Sequence, residues 1–99
     1  MRIEGIIKKK IGRFQGIGKN GMPYDFQQVL VEADETYTKR DGTVYSVKHE
    51  FIISCSVKNG QFGFEEGQKM YFEVYFSANQ YGTDYFQRCN SRFYYALNN

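Results

Sequence analysis

Tryptophan is absent from the 99 residues, proline and histidine occur once each (Pro23 and His49), and cysteine occurs twice (Cys55 and Cys89). Each shortage closes off a class of protein. One histidine and two cysteines cannot build a closed zinc site, which needs four such ligands. No Gly-x-Ser-x-Gly elbow, phosphate-binding Lys motif or spaced carboxylate pair marks a catalytic centre. His49 has no nucleophile motif beside it and reads as a structural histidine. The acidic clusters Glu32/Asp34/Glu35 and Glu65/Glu66 fall at strand ends and loops, where they serve solvation. No apolar run reaches membrane-spanning length, and Met1-Arg-Ile-Glu-Gly begins as strand without an apolar leader. The expectation is a cytoplasmic protein with no enzyme activity, no cofactor, no metal and no membrane contact. In a reducing compartment Cys55 and Cys89 read as small apolar core residues; a disulfide between them would require an oxidising one.

What the chain has in plenty is aromatic rings, nine Tyr and nine Phe, or 18% of all residues. Tyrosine tolerates a half-wet position because its hydroxyl still reaches water. The composition therefore suits a sheet with one dry face and also suits an exposed stacking surface, without separating the two. The net charge of +2 is modest. Its distribution is not: residues 1–20 carry six basic side chains (Arg2, Lys8, Lys9, Lys10, Arg13, Lys19) against Glu4 alone. Such a basic end reads either as a nucleic-acid contact or as solubilising lysines on an edge strand.

The C-terminal ribbon organises the chain. Along Lys69–Tyr81, Met70, Phe72, Val74, Phe76 and Ala78 alternate with Lys69, Tyr71, Glu73, Tyr75, Ser77 and Asn79, the pattern of a half-buried strand. Gly82 reverses the chain into a second arm, Thr83–Ala96, that mixes rings with Arg88 and Arg92. Met70, Phe72, Val74 and Phe76 are assigned to the core, and Arg88 either faces a ligand or pairs with Glu73 across the ribbon.

Ahead of the ribbon, a first strand runs from Met1 to about Arg13. Ile3, Gly5 and Ile7 share one face, and Glu4, Ile6, Lys8 and Lys10 share the other. Lys8-Lys9-Lys10 breaks the alternation, which marks a bulge or the strand end. Gly5 within a strand signals a bend or a close backbone crossing. Residues 14–23 read as a loop, with Asn20-Gly21 its turn signal. Gly16-x-Gly18-x-x-Gly21 spells a dinucleotide fingerprint, but Pro23 and a strand follow where that motif needs a helix. A second strand covers Tyr24 to about Ala33, with Val29, Val31 and Ala33 opposite Tyr24, Phe26, Gln28, Leu30 and Glu32. Asp41-Gly42 marks another tight turn, and Val47–Val57 forms the third strand. Residues 58–67 are too short and too rich in glycine for a helix; Phe62 and Phe64 are expected to plug an open end of the sheet. Five strands and no helix predict one all-β domain over residues 1–99, a five-stranded Greek-key barrel of the oligonucleotide-binding (OB) type.

The segments Met1-Arg-Ile-Glu-Gly-Ile-Ile, Gly18-Lys-Asn-Gly21 running into Tyr24–Glu32, Phe64-Glu-Glu-Gly67 before Lys69–Phe76, and Asn79–Phe86 together resemble single-stranded-DNA-binding OB-fold proteins. The nearest likeness is to a family of small bacterial or phage proteins catalogued mainly as a domain of unknown function. The likeness follows most of the chain in order through short motifs. Two features differ: the helix usual between the third and fourth OB strands is replaced by a glycine-rich connector, and the last strand lacks the family's tryptophan. The resemblance implies a groove on the outer side of the second and third strands, closed by the first and last hairpin loops. That selects Tyr24, Phe26 and Lys48 on the strands, Lys19 and Asn20 in the first loop, and Tyr81 at the last. The basic first strand adds Lys8, Lys10 and Arg13; the ribbon adds Tyr71, Tyr75, Arg88 and Arg92.

The expected partner is single-stranded DNA or RNA, held with little regard to sequence. Stacking is worth roughly 1–3 kcal/mol per base whatever its identity, and Lys or Arg neutralises phosphates. A homodimer or homotetramer is a second expectation, because Leu30 and Ile52 extend the apolar face of Tyr24 and Phe26. The alternative is a protein-interaction module, an inhibitor or assembly subunit of a phage or mobile element with no nucleic-acid role, since rings with arginine also make protein hot spots.

Overall fold

Alternating side chains let a strand present one dry face, and five such strands wind here into a ring. The computed structural model describes residues 1–57 and 63–97, the side chains of Asn79 and Tyr81 excepted. The strands are β1 (Arg2–Ile17), β2 (Pro23–Thr38), β3 (Val44–Ser56), β4 (Lys69–Tyr81) and β5 (Asp84–Ala96). They close in the order β1-β2-β3-β5-β4, with β4 returning to β1. Every pairing is antiparallel except β3 with β5. This is the five-stranded OB barrel expected of the sequence.

Closure depends on β1, which pairs with β4 through Arg2–Ile6 and with β2 through Ile6–Ile17. Serving two neighbours requires it to bend. The lysine run supplies the bend, with register shifts between Ile7 and Lys9 and between Lys10 and Gly12. Bulges of this kind raise the local twist. Gln27 is buried beside the second shift, and its amide donates to the carbonyl of Gly12 at 2.9 Å, which satisfies backbone the ladder leaves open. Gly5 sits where β1 crosses β2: a Cβ there would strike the carbonyl of Glu32 and lie 2.8 Å from Cγ1 of Val31. Only hydrogen fits.

The core is formed by Ile3 and Ile7, Val29 and Val31, Ile53 and Cys55, and Met70, Phe72 and Val74. At about 25 cal/mol per Å² of apolar surface removed from water, these side chains supply the main drive to fold. Burial pushes the Cys55 thiol up to about 12. Both cysteines are free thiols. Phe64 packs against the core and meets Tyr94 edge-on with centroids 5.7 Å apart, as a plug should; Phe62 lies outside the described residues. The Tyr94 hydroxyl donates to the carbonyl of Ser56 at 2.7 Å, tying β5 to the end of β3.

Strand lengths depart from expectation. β1 runs on to Ile17, so Phe14 to Ile17 are strand and not loop; β2 reaches Thr38 and β3 starts at Val44. In both hairpins the ladder zips until a turn stops it, at Gly18–Met22 with Gly21 at φ 78° and at Lys39–Thr43. Phe76 is exposed, against the expectation of core, and Ala78 beyond it is exposed as well. The reason is topological: β3 meets β5 only through Ile53–Cys55, so β4 and β5 beyond Phe76 leave the barrel as a two-stranded ribbon, past the core that the same alternation fills as far as Val74.

Candidate nucleic-acid interface

The outer face of β2 alternates out of the barrel as Tyr24, Phe26, Gln28 and Leu30, opposite Ser56, Ser54 and Ile52 on β3. Because the β3 positions are small near Phe26, a trough opens between the rings of β2 and the side chains of β5. Two adjoining hollows, of about 690 and 450 Å³, share Ser54 in their walls. The larger lies between Tyr24 and Phe26 on one side and Tyr75, Asn90 and Arg92 on the other. The smaller continues past Ile52, Phe86 and Arg88.

Rings and guanidinium groups meet inside this groove. The Arg88 guanidinium lies 5.3 Å from the Phe26 ring centroid, and that of Arg92 lies 5.0 Å from the Tyr75 ring. Arg92 owes its aim to a register shift in β4–β5 between Glu73 and Val74, opposite which β5 carries one extra residue. Phe14, Phe26 and Tyr24 form a row of near-parallel rings, with Phe26 centred 5.2 Å from Phe14 and 6.0 Å from Tyr24. The hydroxyl end of Tyr24 lies against Gly16, which leaves no room there for a Cβ. Asn90 donates its amide to Ser77 Oγ and to the carbonyl of Arg88, which turns its own carbonyl oxygen away from both.

Five residues that the sequence singled out therefore come together: Tyr24, Phe26, Tyr75, Arg88 and Arg92. Lys19 and Asn20 sit in the adjoining loop, where Asn20 Oδ1 accepts from the Met22 amide and shapes the turn. The remainder fall elsewhere. Tyr71 stacks on Tyr95 with centroids 4.7 Å apart and is not among the residues lining the groove. Lys8 and Lys48 both approach Glu32, at 3.7 and 3.3 Å. The shift after Ile7 puts Lys10 opposite Val29, on the inward side and not beside Lys8, and there it meets Glu65 at 3.6 Å. Arg13 clamps Asp25 through two bonds of 3.0 and 2.7 Å. That bonding holds the Asp25 carboxyl below the ordinary carboxylate range and raises Arg13 in turn. Arg88 stands opposite Ser77 and not Glu73, so the expected cross-ribbon pair does not form. The side chain of Tyr81 lies outside the described ones.

Asn90 and Phe86 line the groove and Phe14 backs its Phe26 wall, without any of the three having been singled out. Phe14 was hidden by the glycines around it, which read as loop; its spacing of two from Gly12 and Gly16 was the available signal. His49 lies half-buried, 3.0 Å from the Glu35 carboxylate.

The fold recurs in solved structures. A deletion mutant of the single-stranded DNA binding protein from Thermus aquaticus superposes with a TM-score of 0.73 at 12% identity, over 98% of this chain and 49% of that one. Its wild-type form gives 0.72, again at 12% identity, over 98% and 48%. The Plasmodium falciparum SSB complex with ssDNA gives 0.61 at 10% identity, over 99% and 93%. The fold is that of the single-stranded DNA-binding proteins. The chain spans about half the length of the Thermus aquaticus protein. No protein-family model and no curated protein sequence matches it. At these identities the likeness carries the OB architecture and assigns no residue a role. Among the described residues no helix is long and apolar enough to cross a membrane.

Proposed function

We propose that this OB-fold protein binds single-stranded nucleic acid, DNA foremost, largely irrespective of sequence and without catalysing a reaction on it. The observation that carries the reading is the groove itself: rings from β2, β4 and β5 line one trough, with Arg88 and Arg92 resting on two of them. A base offers a π-face whatever its identity, so such a trough holds any exposed base. The likeness to proteins named for single-stranded DNA binding, one of them solved with ssDNA, supports the same reading. Tyr24, Phe26 and Tyr75 are its stacking platforms, Phe14 backs Phe26, and Arg88 and Arg92 contact the strand. Lys19 and Asn20 border the entry.

The test is binding of a fluorescent oligo-dT, followed by anisotropy, to wild type and to Phe26→Ala. Wild type is expected to bind and the variant to lose about ten- to a hundredfold in affinity, the worth of one stacked base. A nuclease screen with divalent metals should show no turnover. If wild type fails to bind any oligonucleotide at low salt, the apolar strip formed by half-buried Leu30 and exposed Ile52 at the groove becomes the better guide, and the surface is a protein contact.

A further inference from the structure

The sequence places six cations in residues 1–20, and the folded chain gives three of them, Lys8, Lys10 and Arg13, carboxylate partners from other segments. Arg13 is doubly bonded to Asp25, and Lys10 meets Glu65 with Glu66 accepting from its backbone amide. Lys8 and Lys48 share Glu32, and the register brings Asp34 and Glu50 beside them on the same face, so two lysines stand among three carboxylates. Among the described residues that line the groove, the cations are Arg88 and Arg92, and both lie on rings. Asp25 lines it as well. Moving Arg13 onto a phosphate would leave Asp25 with Gln15 alone and its charge unmatched within reach of the strand, which offsets the gain.

We infer that the groove holds its ligand by the bases and not by the phosphates: the substrate class is a single strand with exposed bases, its backbone charge largely dispensable. This rests on the function proposed above. It leads to a number, because the logarithm of affinity falls with that of salt at about −0.7 per phosphate neutralised on a single strand. Two contacts, Arg88 and Arg92, predict a loss of about sevenfold between about 50 and about 200 mM salt, and a third from Lys19 raises it to about eighteenfold. Had Lys8, Lys10, Arg13 and Lys48 also engaged phosphates, the loss would be about nine-hundredfold.

The experiment is anisotropy with wild-type protein, using fluorescent oligo-dT across that salt range and an abasic oligonucleotide of equal length at the lower salt. A loss below about twentyfold on oligo-dT, with abasic strand bound at least tenfold more weakly, supports the inference. A larger salt effect, or abasic strand held within tenfold of oligo-dT, overturns it while leaving strand binding intact. Failure to bind oligo-dT at any salt overturns the proposed function itself, and this inference with it.

Discussion

Arg88 of β5 reaches across β3 to lie over the ring of Phe26 on β2, 5.3 Å from its centroid, above a floor of Ser54 and Ser56. Small side chains on the intervening strand make that reach feasible. A guanidinium so placed contributes roughly 0.5–1 kcal/mol at an exposed ring and fixes a flat donor group at the groove wall. Lysine cannot lie on a ring in the same way. Arg88→Lys is therefore expected to weaken oligo-dT binding by several-fold while the unfolding temperature moves by no more than a few degrees. Anisotropy and a thermal melt check the two halves.

Tyr71 and Tyr24 are both ring-bearing residues on outer faces, yet they should respond differently to truncation. Tyr71 is committed to Tyr95, a pair worth about 0.5–1.5 kcal/mol beyond its area. Tyr71→Ala should lower stability by that order and leave oligonucleotide affinity unchanged. Tyr24→Ala should do the reverse. Parallel melts and titrations separate them.

Two glycines carry opposite predictions. At Gly5 the missing Cβ makes room for backbone, so Gly5→Ala should cost on the order of 1–3 kcal/mol of stability through overpacking of the β1–β2 crossing. At Gly16 the space is taken by the Tyr24 ring, a side chain that can move. Gly16→Ala should retain the fold and displace Tyr24, weakening binding toward the level of Tyr24→Ala. Chemical denaturation reads the first and anisotropy the second.

The Arg13–Asp25 pair has a pH signature. Its carboxyl is depressed in the folded state, so the pair's contribution is complete above the ordinary Asp value and is lost as pH falls through the lowered one. The difference in unfolding temperature between wild type and Arg13→Ala should be constant from about pH 5 to about pH 8 and should close below about pH 4. A gap that persists in acid would contradict the assignment.

The fold was legible because its core follows period two: Ile3 and Ile7, Val29 and Val31, Met70, Phe72 and Val74 all point where the alternation puts them. Phe76 continues the same alternation and is exposed, since periodicity does not record where a strand outruns the barrel. The lysine run was readable as an irregularity, but not as the device that turns Lys10 inward. Arg13 meets Asp25 only because β1 runs on as strand through residues that read as loop, and Lys10 meets Glu65 only once the connector before β4 lies beside β1. For the site, rings on a period-two strand such as Tyr24 and Phe26 were visible. The aim of Arg88 and Arg92 depended on register and a bulge, which local sequence does not encode.

The account turns on the row of rings in the groove. The most direct measurement is oligo-dT affinity of a Tyr24→Ala/Phe26→Ala/Tyr75→Ala triple variant against wild type at low salt, with a melt to verify folding. Wild type is predicted to bind, and the triple variant to lose at least about thirtyfold while still unfolding cooperatively, as two or more stacked bases at about 1–3 kcal/mol each require. A folded triple variant that binds as tightly as wild type would contradict the account.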